Sequence, residues 1–285
     1  MVNKKIHQEK GLLQQTRVYL SGPMDFVASR ADEKKRGWRT RVGEFLSRLG
    51  VTVLDPWNKP DIRGLHEYGR EGVDTTNIRE SWAFEDSPEG AKARARCAGT
   101  FWESMHIDLR MVDTSDFIIA YCPTNIYSVG TVHEIVLCRQ QRKPVLFVSP
   151  QVIFQTLNKL RNNLKGNETG NALLDQLINE IPIKENPKGI PSLWYMPLVG
   201  VDNFFDGFGF SRYRKRFGWE RTPLDDFEDG IDLRRPLLPY LEKLNKTLPK
   251  KWDNKMKRYV RNDDWLIWDF QQGEGKRTEV SETYI

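Results

Sequence analysis

The stretch "YSVGTVHEIVLCRQQRKPVLFVSP", Tyr127–Pro150, decides how this chain is read. A small turn opens a helix over 130–141, a basic hinge follows, and the apolar strand "PVLFVS" at 144–149 stops at Pro150. Just before it, "DFIIAYC" is an unbroken apolar run at 116–122. That is the pattern of a parallel strand buried on both faces. Strand, helix, strand in this order is one right-handed crossover unit of a parallel sheet. Glu134 raises a question. It falls in the first turn of the expected helix, where the dipole favours an acid. Yet it stands behind Gly130-Thr131, on the face that a crossover presses against its sheet. It is either an ordinary first-turn glutamate or a carboxylate aimed into a pocket at the end of the sheet.

Moving outward, "RVYLSGP" at 17–23 reads as a short strand running into a Gly-Pro break. "ADEKKRGWRTRVGEFLSRLG" follows as a helix, with Trp38, Val42, Phe45, Leu46 and Leu49 on one face and Gly50 as its stop. "VTVLDP" is a second strand, ended by Pro56. From Trp57 to about Gly99 the chain is polar and aperiodic, which suits a lid or inserted subdomain. Alternation resumes with a helix whose face is Trp102, Met105, Leu109 and Val112. Four strands and three helices in this order predict an α/β fold, a doubly wound parallel sheet of Rossmann-like or flavodoxin-like type. After Pro150, helices are expected in 151–164 and 166–182, and "SLWYMPLVG" at 192–200 reads as a further strand. The chain thus divides into a polar tail (1–16), an α/β domain (17–200) with a large insertion (about 57–99), and an irregular C-terminal extension (201–285).

Composition narrows the classes. Of the 285 residues, 39% are hydrophobic and 29% charged, and the formal net charge is +5, so a globular chain is expected. There is no apolar run long enough to span a bilayer and no signal-like h-region, so a cytoplasmic protein without membrane contact is expected. Cys97, Cys122 and Cys138 are dispersed, and His7, His66, His106 and His133 form no metal-binding pair. Neither a disulfide frame nor a metal site is expected. No GxGxxG follows a strand, and no cofactor is expected.

In a doubly wound sheet the ligand crevice lies beyond the carboxyl ends of the strands. It would gather Tyr19, Ser21, Gly22 and Pro23 from the first strand, and Tyr121, Ser128, Gly130, Thr131 and Glu134 from the third, with Asp108 at the rim. Paired carboxylates in different environments are the usual equipment for cleaving a glycosidic bond. "VYLSGP", "DLRMVDTSDFIIAYCP" and "SVGTVHEIVLCRQQRKPVLFV" together resemble the nucleoside 2-deoxyribosyltransferase family and the related nucleotide N-glycoside hydrolases. The likeness covers roughly 17–150. It implies cleavage or transfer at the N-glycosidic bond of a nucleoside or nucleotide, without metal or cofactor. It also implies Glu134 as nucleophile, Asp108 as proton carrier for the leaving base, and Tyr19 as the residue that holds Glu134. Ser21, Gly22, Pro23, Ser128, Gly130 and Thr131 would bind sugar or phosphate.

One position departs from the transferases, which carry an aspartate six residues before the nucleophile. Here it is Ser128. A serine at a helix N-terminus accepts a 5′-phosphate that an aspartate would repel. Arg17, Arg30 or a residue of the insertion could add charge, and the sequence does not choose among them. In the family a neighbouring subunit commonly completes the pocket, so a homo-oligomer is compatible with this chain, as is completion by its own insertion and extension. The rival reading is a non-catalytic nucleotide-binding protein on the same fold. The basic, aromatic C-terminal segments would then engage nucleic acid, although acidic runs between them argue against a continuous basic stripe.

Overall fold

The structure is a computed structural model. It describes residues 13, 16–24, 30–58, 85–124, 126, 128–141, 143–150, 155–180, 192, 194–199, 204–206, 223–230, 232–248, 250–255, 258–261, 266–269 and 276–279. In chain order the elements begin with β1 (Arg17–Ser21), α1 (Arg30–Arg36), α2 (Trp38–Arg48), β2 (Thr52–Leu54) and α3 (Pro88–Thr114). Next come β3 (Phe117–Tyr121), α4 (Val129–Gln140), β4 (Val145–Ser149), α5 (Gln155–Asn163), α6 (Glu168–Glu180), α7 (Tyr195–Val199) and β5 (Phe204–Asp206). The chain continues with α8 (Pro223–Asp229) and α9 (Arg234–Thr247). Two antiparallel hairpins follow, β6 (Lys250–Asp253) with β7 (Arg258–Arg261), and β8 (Leu266–Asp269) with β9 (Lys276–Glu279).

The main sheet has five strands in the order β2-β1-β3-β4-β5, and every pairing in it is parallel. This is a doubly wound α/β sheet, with the strand order of the flavodoxin-like class. Alternate residues of each strand feed opposite faces. Val18, Leu20, Phe117, Ile119, Leu146 and Val148 pack on α2, α8 and α9. Tyr19, Ile118, Ala120, Val145 and Phe147 pack on α3, α4 and α7 through Met111, Val112, Ile135, Cys138 and Val199. The three central strands are thus buried on both sides, which is why their sequences read as apolar runs rather than alternating ones.

Five expectations change. The helix expected over 31–50 breaks at Gly37, where an added Cβ would lie 2.4 Å from the Glu33 carbonyl, so only glycine admits this turn. Gly50, at φ +85°, follows α2 at the expected stop. The insertion ends earlier than 99, because α3 begins at Pro88. Its start is fixed locally: Ser87 accepts a hydrogen bond from Gly90 N at 3.0 Å and proline takes the first turn. Residues 91–96 are exposed, so no apolar period marks them. "SLWYMPLVG" contains the helix α7 instead of a strand, its Tyr195 ring 4.4 Å from that of Phe147. A short apolar run does not distinguish the two by periodicity.

The boundary at 200 also moves. β5 completes the sheet, and Phe227, Leu237, Leu241 and Leu244 of α8 and α9 are core residues, so the extension is regular at least this far. At the other end, Leu13 and Thr16 of the expected tail are buried. The rest of the tail, residues 59–84 of the insertion and the segment "SRYRKRFGW" lie outside the described residues. No helix among the described residues is long and apolar enough to cross a membrane.

Candidate active site

The strand order turns back on itself at β1, which has β2 on one side and β3 on the other. The carboxyl ends of β1 and β3 therefore flank the crevice where such sheets bind ligands. Tyr19 and Ser21 are two residues apart on β1 and face the same side, toward α4. Helix α4 buries Thr131, Glu134, Ile135 and Cys138, the stripe that packs on the sheet. Because α4 starts at Val129, Glu134 is its sixth residue, one turn beyond the place where the dipole reading put it. The question of its orientation is settled: it faces the sheet and is 8% exposed.

Both carboxylate oxygens are held. Tyr19 Oη donates to Glu134 Oε1 at 2.7 Å, and Ser21 Oγ donates to Oε2. Burial pushes the Glu134 carboxyl up to about 7, with Asp108 adding to the effect, while the two hydroxyl donors and Arg39 oppose it. Burial, Glu134 and Asp108 push the Tyr19 hydroxyl well above its ordinary range, so it stays a donor. A carboxylate has about four lone-pair sites, and the two hydroxyls occupy two of them. The arrangement fixes a carboxylate of tunable charge and leaves it the electron pairs needed to accept a proton or attack an electrophile.

The expected site residues divide into groups. Tyr19, Ser21 and Glu134 are brought into direct contact. Asp108 lies on α3, half-buried, close enough to raise both Tyr19 and Glu134 electrostatically. Gly22 belongs to the turn after β1, where a Cβ would meet Trp38 at 2.9 Å and the Arg39 guanidinium at 3.1 Å. Pro23 in the same turn is buried, and its carbonyl is occupied by Arg39. Ser128 caps α4, but its hydroxyl bonds that of the buried Thr131. Gly130 is exposed, with nothing within 4 Å of an added Cβ, so the space before it is open. Two expectations are corrected. Ser21, assigned to sugar or phosphate, spends its hydroxyl proton on Glu134. Arg17 stands at the first residue of β1, the opposite end of the strand from the crevice, with its amide bonded to Asp116 Oδ2 at 2.7 Å. The Arg30 side chain lies outside those described.

Two signals in the sequence went unused. Ser21 shares a strand face with Tyr19, so whatever Tyr19 touches, Ser21 can reach. Arg39 precedes Val42, Leu46 and Leu49 by three, seven and ten residues, and so lies on the apolar stripe of α2. It is 1% exposed. Its Nε, Nη1 and Nη2 donate to the carbonyls of Leu20, Pro23 and Gly22 at 3.1, 3.3 and 2.5 Å. Its guanidinium centre lies 5.0 Å from the Trp38 ring and 6.0 Å from the Trp57 ring. On the sheet face opposite Tyr19, Tyr121 stacks on Trp38 at 4.9 Å, and its hydroxyl donates to Glu228 Oε1 at 2.9 Å. Among the described residues no group of three or more His, Cys, Asp or Glu could hold a metal ion.

No protein-family model matches this chain, and no curated protein matches it. Among solved structures it is similar to a conserved protein from Enterococcus faecalis V583, at 19% identity and a TM-score of 0.31, over 65% of this chain and 86% of that one. A likeness at that score bears on neither site nor function.

Proposed function

We propose that this protein breaks, or exchanges across, the N-glycosidic bond of a nucleoside or nucleoside 5′-monophosphate through a glycosyl-glutamate intermediate. The observation that carries the proposal is the buried Glu134, held through one oxygen by Tyr19 and through the other by Ser21 at the crevice between β1 and β3. A Glu134 oxygen attacks the anomeric carbon. The carbon–nitrogen bond breaks, its electron pair leaves with the base, and Asp108 supplies the proton that neutralises it. Water or a second base then attacks the same carbon, returns a proton to Asp108 and frees the carboxylate. Fixing the carboxylate beforehand removes a reorganisation cost from the first step. Ser128 at the head of α4, where the transferases carry an acid, favours a substrate with a 5′-phosphate.

The test is chromatographic. Nucleosides and their 5′-monophosphates are incubated with the protein or with Glu134→Ala, with and without a free acceptor base. Release of base from monophosphates by the parent alone is the expected result. Base exchange on unphosphorylated nucleosides would keep Glu134 and remove the phosphate preference. Undiminished turnover by Glu134→Ala would end the mechanism, and binding without turnover would make the protein a nucleotide binder.

A further inference from the structure

Arg39 is buried on α2 yet makes no contact that α2 itself requires. Its guanidinium donates three hydrogen bonds to the backbone of one turn, Leu20 to Pro23, which contains Ser21. Three carbonyls converging on one planar fork fix that turn in three directions, which a single ammonium could not do. The turn has little freedom otherwise, because Gly22 is packed against Trp38, Arg39 and the Tyr121 carbonyl. Displacing the turn would move the Ser21 hydroxyl off Glu134. The positive charge is held in place by Glu33, 3.9 Å away, by Asp55, and by the faces of Trp38 and Trp57.

We infer that Arg39 is a positioning residue: its guanidinium fork clamps the Leu20–Pro23 turn so that Ser21 stays bonded to Glu134. This rests on Glu134 being the working carboxylate of the site. The fork and the charge make separable contributions. The fork sets where Ser21 sits, and the charge helps keep Glu134 ionised. The groups that act on Glu134 from the surrounding elements are Tyr19 and Ser21 on β1, Asp108 on α3 and Arg39 on α2. Cys122 and Cys138 are also near enough to feel it.

The experiment compares Arg39→Lys and Arg39→Met with the parent, once circular dichroism has shown which are folded. Glu134 ionisation is followed by 13C NMR of glutamate-labelled protein, with Glu134→Gln assigning the signal. Base release is followed as kcat and KM against pH. Arg39→Met should move the Glu134 midpoint up by about one pH unit. Arg39→Lys, which keeps the charge but frees Ser21 from Glu134, should still raise the midpoint, because the Ser21 bond holds it down more than the Arg39 charge does, and should lose about tenfold in kcat with KM nearly unchanged. If Arg39→Met does not fold, the lysine variant decides alone. Gly22→Ala, whose Cβ would press on Trp38 at 2.9 Å and on the Arg39 guanidinium at 3.1 Å, should reproduce its loss in kcat. A folded lysine variant with parental kcat would overturn the clamp. If no substrate turns over, the glycosidic reading fails, while the NMR midpoints still test the clamp: an unmoved midpoint in folded Arg39→Lys overturns it.

Discussion

Each end of the sheet buries an ionisable group, and the two are built differently. At the amino end, Lys143 precedes β4, is 7% exposed, and donates through Nζ to the carbonyls of Val112, at 2.8 Å, and Asp113. These are among the last carbonyls of α3, and that of Val112 also accepts from Ser115 N and from Ser115 Oγ at 2.8 Å. At the carboxyl end, Glu134 is bonded by two hydroxyls, groups that can turn and re-pair. Burial moves both groups toward neutrality, Lys143 down to about 8 and Glu134 up to about 7. A depressed or raised pKa therefore does not by itself mark a site. Lys143 completes a helix end and has no adjoining crevice at a strand switch. Glu134 has one.

The largest expected effect breaks or keeps that contrast directly. Glu134→Ala should lose about a thousandfold or more in base release. Lys143→Met should stay within about threefold, although it loses roughly 1–3 kcal/mol of stability from the helix-end hydrogen bonds of its ammonium, chiefly that to the Asp113 carbonyl. Chromatographic turnover beside urea unfolding separates the two. A Lys143→Met variant as dead as Glu134→Ala would erase the distinction between the ends.

Next in size is the pH dependence of stability, where the two groups should act in different windows. Glu134 has a folded value raised above the unfolded one. Its contribution is present below about 4.5 and lost as pH rises through about 7. Glu134→Gln, which does not titrate, should therefore gain on the parent across that window, by up to about 3 kcal/mol. Lys143 has a depressed value, so its contribution is present above about 10.5 and lost as pH falls through about 8. Lys143→Met should fall behind the parent as pH rises through that window. Denaturant midpoints taken along a pH series measure both. Parallel curves for parent and variant would show that the carboxyl or the amine is not titrating as described.

Tyr19→Phe removes one of the two hydroxyls on Glu134. It should cost about tenfold in kcat and move the acid limb of kcat/KM upward, since that bond favours the ionised form. Stability should fall by roughly 1–2 kcal/mol because a buried oxygen loses its donor. An unmoved limb would mean that Tyr19 only packs. The smallest effect is expected at His133, the neighbour of Glu134, which is exposed on the far side of α4. His133→Ala should leave turnover within twofold and stability within about 0.5 kcal/mol. A larger loss would extend the site onto the outer face of the helix.

Much of the frame was legible in the chain. The apolar runs at 17–21, 117–121 and 145–149 are strands because residues buried on both faces leave no polar period. The helix that carries Glu134 was visible from its small turn and its spacing. Those features are local, set by neighbours in sequence, and the strand–helix–strand order alone brought Tyr19, Asp108 and Glu134 to one region.

What only the tertiary structure decided is non-local. The apolar stripe of α2 marks Arg39 out among the five arginines within 30–48, but which groups its buried fork would meet was decided only when α2 packed against the first-strand turn. Ser21 could have served a phosphate or a carboxylate until β1 was set against α4. Phe227, Leu237 and Leu241 join the core from beyond the expected boundary because the outer face of the sheet needs cover, a demand written in β1 and β3, not in the segment that meets it.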